Sequence, residues 1–308
     1  MLQLRHLRYF VNIVDAGSFS RAAATIHVAQ PALSQQMQEL EEHLAVSLLQ
    51  RHPRGVRPTP AGEVLYREAI AILKRVDELP GIVRSMGGEP EGSVTIGMAS
   101  TLAATLAGPF VQACRAMLPK VILKLSVAGS ETIKAGIEGF GTEVAFVFED
   151  ELVARYARRP MFRQRLFYIA KAEANDSTTT IQLSELAMRP MILPGLPNVT
   201  RSVFERALAQ NGLTARPVAE ADQLSSTITA VRQGLGGSLL AMGTYPPDVP
   251  PGELCVPKPI EPPIFMTASV LWSNEVPLSK AGEAVRLAMI EFIEQRVGKA
   301  PVPGIEPL

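Results

Sequence analysis

The sequence predicts an α/β protein that opens with a winged helix-turn-helix. Three observations carry that expectation. Residues 18–44, SFSRAAATIHVAQPALSQQMQELEEHL, hold two short amphipathic helical patterns joined by a tight break. Residues 48–62, LLQRHPRGVRPTPAG, form two short apolar-edged segments around Pro53-Arg54-Gly55, the pattern of a hairpin. From Ser93 onward, short apolar runs alternate with helical patterns, which implies a sheet of largely parallel strands with crossover helices.

Taken in chain order, Leu4, Leu7, Phe10, Val11 and Val14 make an amphipathic first helix, and Gly17 follows its end. Ser18 suits an N-cap, because its hydroxyl can accept from an unpaired N–H of the next first turn. Phe19, Ala22, Ala23 and Ile26 repeat at helical spacing, and the alanines let another helix approach closely. His27-Val28-Ala29 makes the turn. Pro31 fits the first turn of the following helix, where no N–H donor is needed. Leu33, Met37, Leu40 and Leu44 form its apolar stripe, leaving Gln30, Ser34, Gln35 and Gln38 on other faces. The hairpin after it is basic: Arg51, Arg54 and Arg57 stand between Gln50 and Gly62 with no acidic residue.

Residues 59–86 read as one long helix. Thr59 is its N-cap and Pro60 its first residue. Leu65, Ala69, Ile72, Val76, Leu79, Val83 and Met86 recur at alternating spacings of four and three, a heptad seam suited to pairing with a second chain. The alternative is an amphipathic helix packed on its own domain. Pro80 interrupts the seam and predicts a kink or an end near Leu79. Gly87 to Gly92 is a hinge. Beyond it, strands are expected at Ser93–Met98, Val121–Val127, Glu143–Phe148, Leu166–Ala170, Pro190–Leu193, Pro217–Glu220, Gly236–Ala241 and Ile264–Trp272. Helices are expected at Thr101–Met117, kinked by Gly108-Pro109, and at Asn198–Asn211, Gln223–Gln233 and Ser279–Val297.

The segment QPALSQQMQELEEHLAVSLLQRHPRGVRPTPAG resembles the N-terminal signature of the LysR-type transcriptional regulators, without gaps from about Leu4 to Gly62. Within that family, Gly92 to Glu149 is similar to the nitrogen assimilation control proteins. The resemblance implies a DNA-binding domain over residues 1–58, a linker helix and hinge over 59–91, and an effector-binding domain over 92–308. It divides the last into two subdomains like those of periplasmic solute-binding proteins, one of about 92–162 with 264–297, the other of about 163–263. It also implies double-stranded DNA of dyad symmetry, a dimer through the linker helix with a tetramer beyond it, RNA polymerase as a further partner, and a small effector.

Composition limits the function classes. At 47% hydrophobic and 19% charged residues, the chain has enough apolar side chains for sizeable cores. No apolar run reaches a bilayer-spanning length, and MLQLRHLRYF enters a helix with no signal-peptide pattern. A cytoplasmic location and no membrane partner are expected. Cys114 and Cys255, far apart, suggest core residues and not a disulfide framework. All four histidines lie at or before His52, so a Ser-His-Asp or Cys-His arrangement in the later region is excluded. No spacing suits a metal, and no cofactor or catalytic residue is expected. An enzyme and a solute-binding protein remain rival readings of the α/β region; the first lacks a phosphate-binding glycine motif and paired carboxylates, the second an export signal. The run Glu149-Asp150-Glu151 reads as a solvated loop, with cation binding as the alternative.

Net charge is zero overall, and residues 1–88 carry ten Lys or Arg against eight Asp or Glu. Local clustering in the hairpin therefore matters more than the total. Gln30, Ser34, Gln35 and Gln38 are candidates for base edges, since Gln pairs bidentately with adenine and Ser serves either side. For Gln38 a solvated face is the competing role. Pro31, with Ala32, suits a thymine methyl, and Arg51 and Arg54 suit phosphates or the minor groove. For an effector, Ser100 and Thr101 follow one strand and open a helix; Gly129 and Ser130 follow another and open a second. Such turns offer hydroxyls and free N–H groups to an anion, though plain N-capping is the competing role. From the second subdomain come Leu196, Thr200 and Arg201, the last as the cation, with a surface salt bridge as its competing role; Phe148 and Leu196 are apolar walls or simply core. A regulator of the same family that needs no effector is the alternative.

Overall fold

A computed structural model describes residues 2–52, 55–84, 88–150, 156–172, 178–245, 250, 253–299 and 304–308. The chain divides into two compact units, residues 1–88 with 138–141, and residues 89–137 with 142–308.

In the first unit, α1 (Leu4–Ala16) ends at Gly17 in the left-handed conformation. Ser18 caps α2 (Phe19–Thr25) by accepting from the Arg21 N–H. After the turn comes α3 (Gln30–Leu44), with Pro31 in its first turn. Leu33, Met37 and Leu40 of α3 are buried to 0–2% exposure against Phe10, Ile13, Phe19, Ala22 and Ala23. Burial of each large side chain contributes about 1.5–3 kcal/mol. Leu44, expected in that stripe, is exposed, because α3 ends there and Ala45 turns left-handed. Two strands follow, β1 (Leu49–His52) and β2 (Gly55–Pro58), paired antiparallel.

The next helix, α4 (Pro60–Arg84), starts under a Thr59 cap, whose Oγ accepts from the Gly62 N–H at 3.0 Å. It does not end near Leu79. It runs on past Pro80, since a proline removes one helical hydrogen bond while its neighbours keep theirs. Ala69 is buried, but Ile72 and Leu79 stand 40% and 47% exposed on the single chain. Val83 has no described side chain, and Met86 lies outside the described residues.

The second unit is a mixed sheet with helices. It holds β3 (Gly92–Ala99), α5 (Ser100–Met117), β4 (Val121–Ala128), α6 (Ser130–Glu138), β5 (Val144–Glu149), β6 (Tyr156–Ile169), β7 (Ile181–Gln182), α7 (Leu183–Met188), β8 (Met191–Leu193), α8 (Val199–Gln210), β9 (Pro217–Glu220), α9 (Leu224–Arg232), β10 (Ser238–Ala241), a 3₁₀ turn (Met242–Thr244), β11 (Lys258–Glu261), β12 (Phe265–Ser273), α10 (Lys280–Lys299) and β13 (Ile305–Glu306). The main sheet runs β4-β3-β5-β12-β6-β11-β7. Only β3 with β4, β3 with β5, and β11 with β7 are parallel within it; β12 is antiparallel to both neighbours. The expectation of a largely parallel sheet is therefore corrected. Helix α5 continues through Pro109.

The largest departure is β6, expected only from Leu166. Four arginines and Pro160 hid its first half. Each charge is matched locally: Arg158 lies 3.4 Å from Glu149, Arg159 3.3 Å from Glu294, Arg165 2.6 Å from Glu261, and the Arg163 guanidinium stacks 4.0 Å above the Phe265 ring. Pro160, with no N–H to give, lies opposite Ser269 at a register shift that skips Met161, the next pair being Phe162 with Ala268. The acidic run is likewise corrected: Glu149 is 2% exposed at the end of β5 and Asp150 pairs with Arg206 at 3.0 Å, while Glu151 lies outside the described residues. Both cysteines are buried thiols, and burial pushes the Cys114 thiol up.

Gly55 has φ near +135°, and a Cβ there would stand 2.4 Å from the Gly17 carbonyl oxygen. That oxygen accepts from the Val56 N–H at 2.9 Å. Gly55→Val is expected to destabilise the first unit by about 1–3 kcal/mol, read as a lower urea midpoint. An unchanged midpoint would show that the hairpin is not held by this approach.

Candidate functional site

The N-terminal site is assembled by three contacts around the end of α3. Glu41 Oε1 accepts from the Leu48 N–H at 2.6 Å and from the Leu49 N–H at 3.1 Å. Thr59 donates its hydroxyl to the Ser47 carbonyl at 2.7 Å, and its N–H bonds the Leu48 carbonyl at 2.9 Å. Gly62 lies so close to Leu48 that a Cβ would meet the Leu48 oxygen at 2.0 Å. Helix, hairpin and linker helix are thereby fixed to one another. On the far side, Tyr66 donates a short hydrogen bond to Asp15. Burial, then the neighbouring Asp15 carboxylate, push its phenol up to about 12.

What α3 leaves outward is polar. Gln30, Pro31, Gln35 and Gln38 are exposed and Ser34 is half-buried. Gln35 Nε2 donates to Glu39 Oε1 at 3.0 Å, and Gln36 Nε2 to Glu39 Oε2 at 2.9 Å. Gln38 Nε2 donates to Glu42 Oε1 at 2.9 Å. An amide nitrogen carries two donors, so Gln35 and Gln38 each keep a second N–H and a carbonyl oxygen. Glu39 and Glu42, not anticipated as partners, follow from i,i+4 spacing on a helix face. Arg51 lies on β1, opposite Val56, and its side chain is not described. Arg54 lies outside the described residues.

In the second unit, α5 opens at Ser100 directly after β3, and α6 opens at Ser130 after Gly129. Ser100 is exposed and Thr101 half-buried. Ser130 Oγ accepts from the Phe148 N–H at 3.2 Å, so this hydroxyl holds the end of β5 and keeps its proton to donate. No neighbour lies within 4 Å of a Cβ built on Gly129. Thr200 is held by Asn198, which caps α8 by accepting its N–H at 2.9 Å; the Thr200 hydroxyl faces Met266 Sδ at 3.5 Å. Leu196 is 60% exposed.

Arg201 does not present a free charge. It is buried, with Nε on Glu205 at 2.7 Å and the same guanidinium on Glu220 and on the Pro194 carbonyl. Its hydrogen bonds to Glu220 and then Glu205 raise its pKa. Asp222 adds a further carboxylate there, accepting from the Gly195 N–H at 2.9 Å. The sequence pointed to the residue but not to its three partners, which are 4, 7 and 19 positions away.

Thr101 and Phe148 come together on the wall of a cavity of ≈ 230 Å³. Sequence reasoning missed the rest of that wall, including Gln164, Thr244, Ile293, Arg296 and Ile305. Gln164 sits in the unrecognised half of β6 and Ile305 in the unrecognised β13, so neither carried a signal. Among the described residues no group of His, Cys, Asp and Glu could hold a metal ion, and no helix is long and apolar enough to cross a membrane.

The α3 geometry yields two kinds of variant. Gln30→Ala or Gln35→Ala is expected to weaken binding to the preferred sequence by about 1–3 kcal/mol per lost bidentate base contact. Arg51→Ala is expected to weaken binding to every duplex and to flatten its salt dependence. Titrations over a salt series distinguish them; equal and salt-independent losses would contradict the assignment.

Both parts of the chain are similar to known proteins. Residues 4–63 match the model of "bacterial regulatory helix-turn-helix protein, lysR family", and residues 87–294 match that of the "LysR substrate binding domain". The nitrogen assimilation regulatory protein nac of Escherichia coli (strain K12) is 31% identical over 240 residues, covering 78% of each chain. A full-length OxyR variant from Pseudomonas aeruginosa superposes with a TM-score of 0.72 at 20% identity, covering 99% of this chain and 98% of that one. Full-length CbnR, solved in complex with its target DNA, superposes with a TM-score of 0.68 at 17% identity, covering 95% of this chain and 100% of that one.

Proposed function

The chain belongs to the LysR family of transcriptional regulators, and from that premise we propose that it reads a dyad-symmetric site in double-stranded DNA as an oligomer, under control of a small anionic effector. The regulator class and the presence of a substrate-binding domain come with the family, and neither is an enzyme's. One observation carries the DNA reading: α3 buries Leu33, Met37 and Leu40 completely and turns Gln30, Pro31, Ser34, Gln35 and Gln38 outward beside a basic hairpin. A helix of that kind enters the major groove, while Arg51 and Arg54 neutralise phosphates or enter the minor groove.

Pairing through α4 supplies the two-fold symmetry that a dyad site requires. The exposed Ile72 and Leu79 support it, since a seam buried within one chain would not leave both open. A pair of such dimers makes a tetramer, and RNA polymerase is the partner through which such a regulator acts on transcription. For the effector, Ser100, Thr101, Gly129 and Ser130 offer hydroxyls and helix-start N–H groups to a carboxylate. From the other subdomain, Leu196 and Thr200 are the proposed further contacts. An effector that prefers one arrangement of the subdomains shifts that arrangement's population, and the oligomer transmits the shift to the DNA-reading heads.

A second reading, a regulator that needs no effector, is favoured by one observation. The cation expected to balance the ligand, Arg201, is already matched by Glu205 and Glu220.

Two experiments test these readings. Selection of bound fragments from genomic DNA is expected to yield a dyad motif, and Ile72→Glu, a charge placed on the seam, is expected to sediment as a smaller species that no longer binds it. Native mass and affinity in that variant would refute pairing through α4. Thermal-shift screening of organic acids is expected to find one that adds about 2.7 kcal/mol of stability at a hundred times its Kd, and the gain is expected to shrink in Ser130→Ala. No stabilising acid across a broad panel would favour the effector-free reading.

A further inference from the structure

We infer that Glu39 is a positioning residue for sequence reading: its carboxylate fixes the amide of Gln35 so that the edge left for DNA suits adenine and rejects guanine. The inference rests on the proposed role of Gln35 as a base contact. What carries it is a chain of three side chains on α3. Glu39 lies four residues after Gln35 and three after Gln36, the two spacings that bring side chains together on a helix. Its Oε1 accepts from Gln35 Nε2 at 3.0 Å and its Oε2 from Gln36 Nε2 at 2.9 Å. Gln35 and Glu39 are exposed, whereas Gln36 is half-buried and its Oε1 is shut off from solvent. One oxygen of the carboxylate is thereby tied to a half-buried side chain, and the other holds the Gln35 amide.

The chemistry of the groups sets the orientation. An ionised carboxylate has only acceptors, so the NH2 end of Gln35, and not its carbonyl, must face Glu39. One N–H is used there. The other N–H and the carbonyl oxygen remain, one donor and one acceptor. Adenine presents the matching pair in the major groove, N7 as acceptor and the N6 amino group as donor, whereas guanine presents two acceptors, N7 and O6. A freely turning amide can aim both N–H groups at guanine. An amide held by Glu39 cannot, and it sets its carbonyl oxygen against a guanine acceptor. Holding the side chain before binding also lowers the rotamer entropy lost at the interface. Gln38 donates to Glu42 at 2.9 Å, but among the described residues no second side chain ties Glu42 in place, so Gln38 lacks this restraint. The charge of Glu39 has an opposite effect on affinity, because an exposed carboxylate on the reading helix repels the phosphates of any sequence. Glu39 therefore weakens binding to all DNA while raising discrimination between sites.

The test uses the full chain and duplexes carrying its selected site, with each position of one half-site changed in turn to every other base pair. Fluorescence anisotropy gives Kd for wild type, Gln35→Ala, Gln36→Met and Glu39→Ala. The position whose preference disappears in Gln35→Ala is the one that Gln35 reads. There the wild type is expected to favour adenine over guanine by roughly tenfold or more. Glu39→Ala and Gln36→Met are each expected to cut that ratio about threefold or more, by gaining affinity for guanine, and to leave the ratios at other positions unaltered. Glu39→Ala is also expected to bind an unrelated duplex more tightly than wild type, whereas Gln36→Met, which keeps the charge, is not. An unchanged ratio at that position in Glu39→Ala would overturn the proposal. So would equal losses at every position, which mark a structural role in the helix. If Gln35→Ala alters the preference at no position, the assignment of Gln35 to a base fails, and the proposal falls with it.

Discussion

The carboxylate of Glu41 is the constraint on which the N-terminal unit depends. It sits near the end of α3 and takes the backbone N–H groups of Leu48 and Leu49, the residues that lead into the hairpin. Those donors would otherwise need water or another acceptor, since an unpaired N–H in a half-buried turn is costly. Thr59 completes the arrangement from the other direction, holding Ser47 and Leu48 while capping α4. One short stretch of chain therefore fixes three elements: the helix that presents Gln30 and Gln35, the basic hairpin, and the helix proposed to pair two copies. A regulator needs this coupling, because a shift in how two copies pair moves the DNA-reading faces only if nothing between them gives way.

In the regulatory unit the corresponding part is β6. It serves β12 along its first part and β10 and β11 along its last residues. A strand shared in this way carries the chain from one set of strand partners to the next without a loop. Its arginines make this possible. Each finds an acidic or aromatic partner on a neighbouring strand or helix, so a sequence too charged for an ordinary central strand is stable here. The same strand bears Gln164, where the cavity wall and β13 meet.

Local signals in the sequence identified the elements with a single dominant cause. Ser18 and Thr59 cap helices, Gly17 ends one, and Pro60 starts one, as residue chemistry alone implies. The α3 stripe was legible to within its last residue, Leu44, which lost its partner when the helix ended. Long-range pairing was not legible. Nothing in Arg158-Arg159-Pro160 announces a strand until Glu149, Glu294 and Ser269 are placed beside it. Arg201 teaches the same lesson for the site: its type and position suggested a ligand, but three acceptors brought by folding use its donors. Conversely, Thr101 and Phe148 were chosen separately and share one cavity, whose remaining wall depends on β6 and β13.

The central claim is that α3 and the hairpin act on DNA as one rigid reader, locked by Glu41. Hydroxyl-radical footprinting of the full chain and of Glu41→Ala on the same selected DNA measures it most directly. The account predicts two protected patches related by a dyad, about one helical turn or a multiple apart, each with a flank protected by the hairpin. In Glu41→Ala the patches are expected to persist at the same spacing while the flanks lose protection. A footprint without dyad symmetry, or flanks unchanged by the substitution, would contradict it.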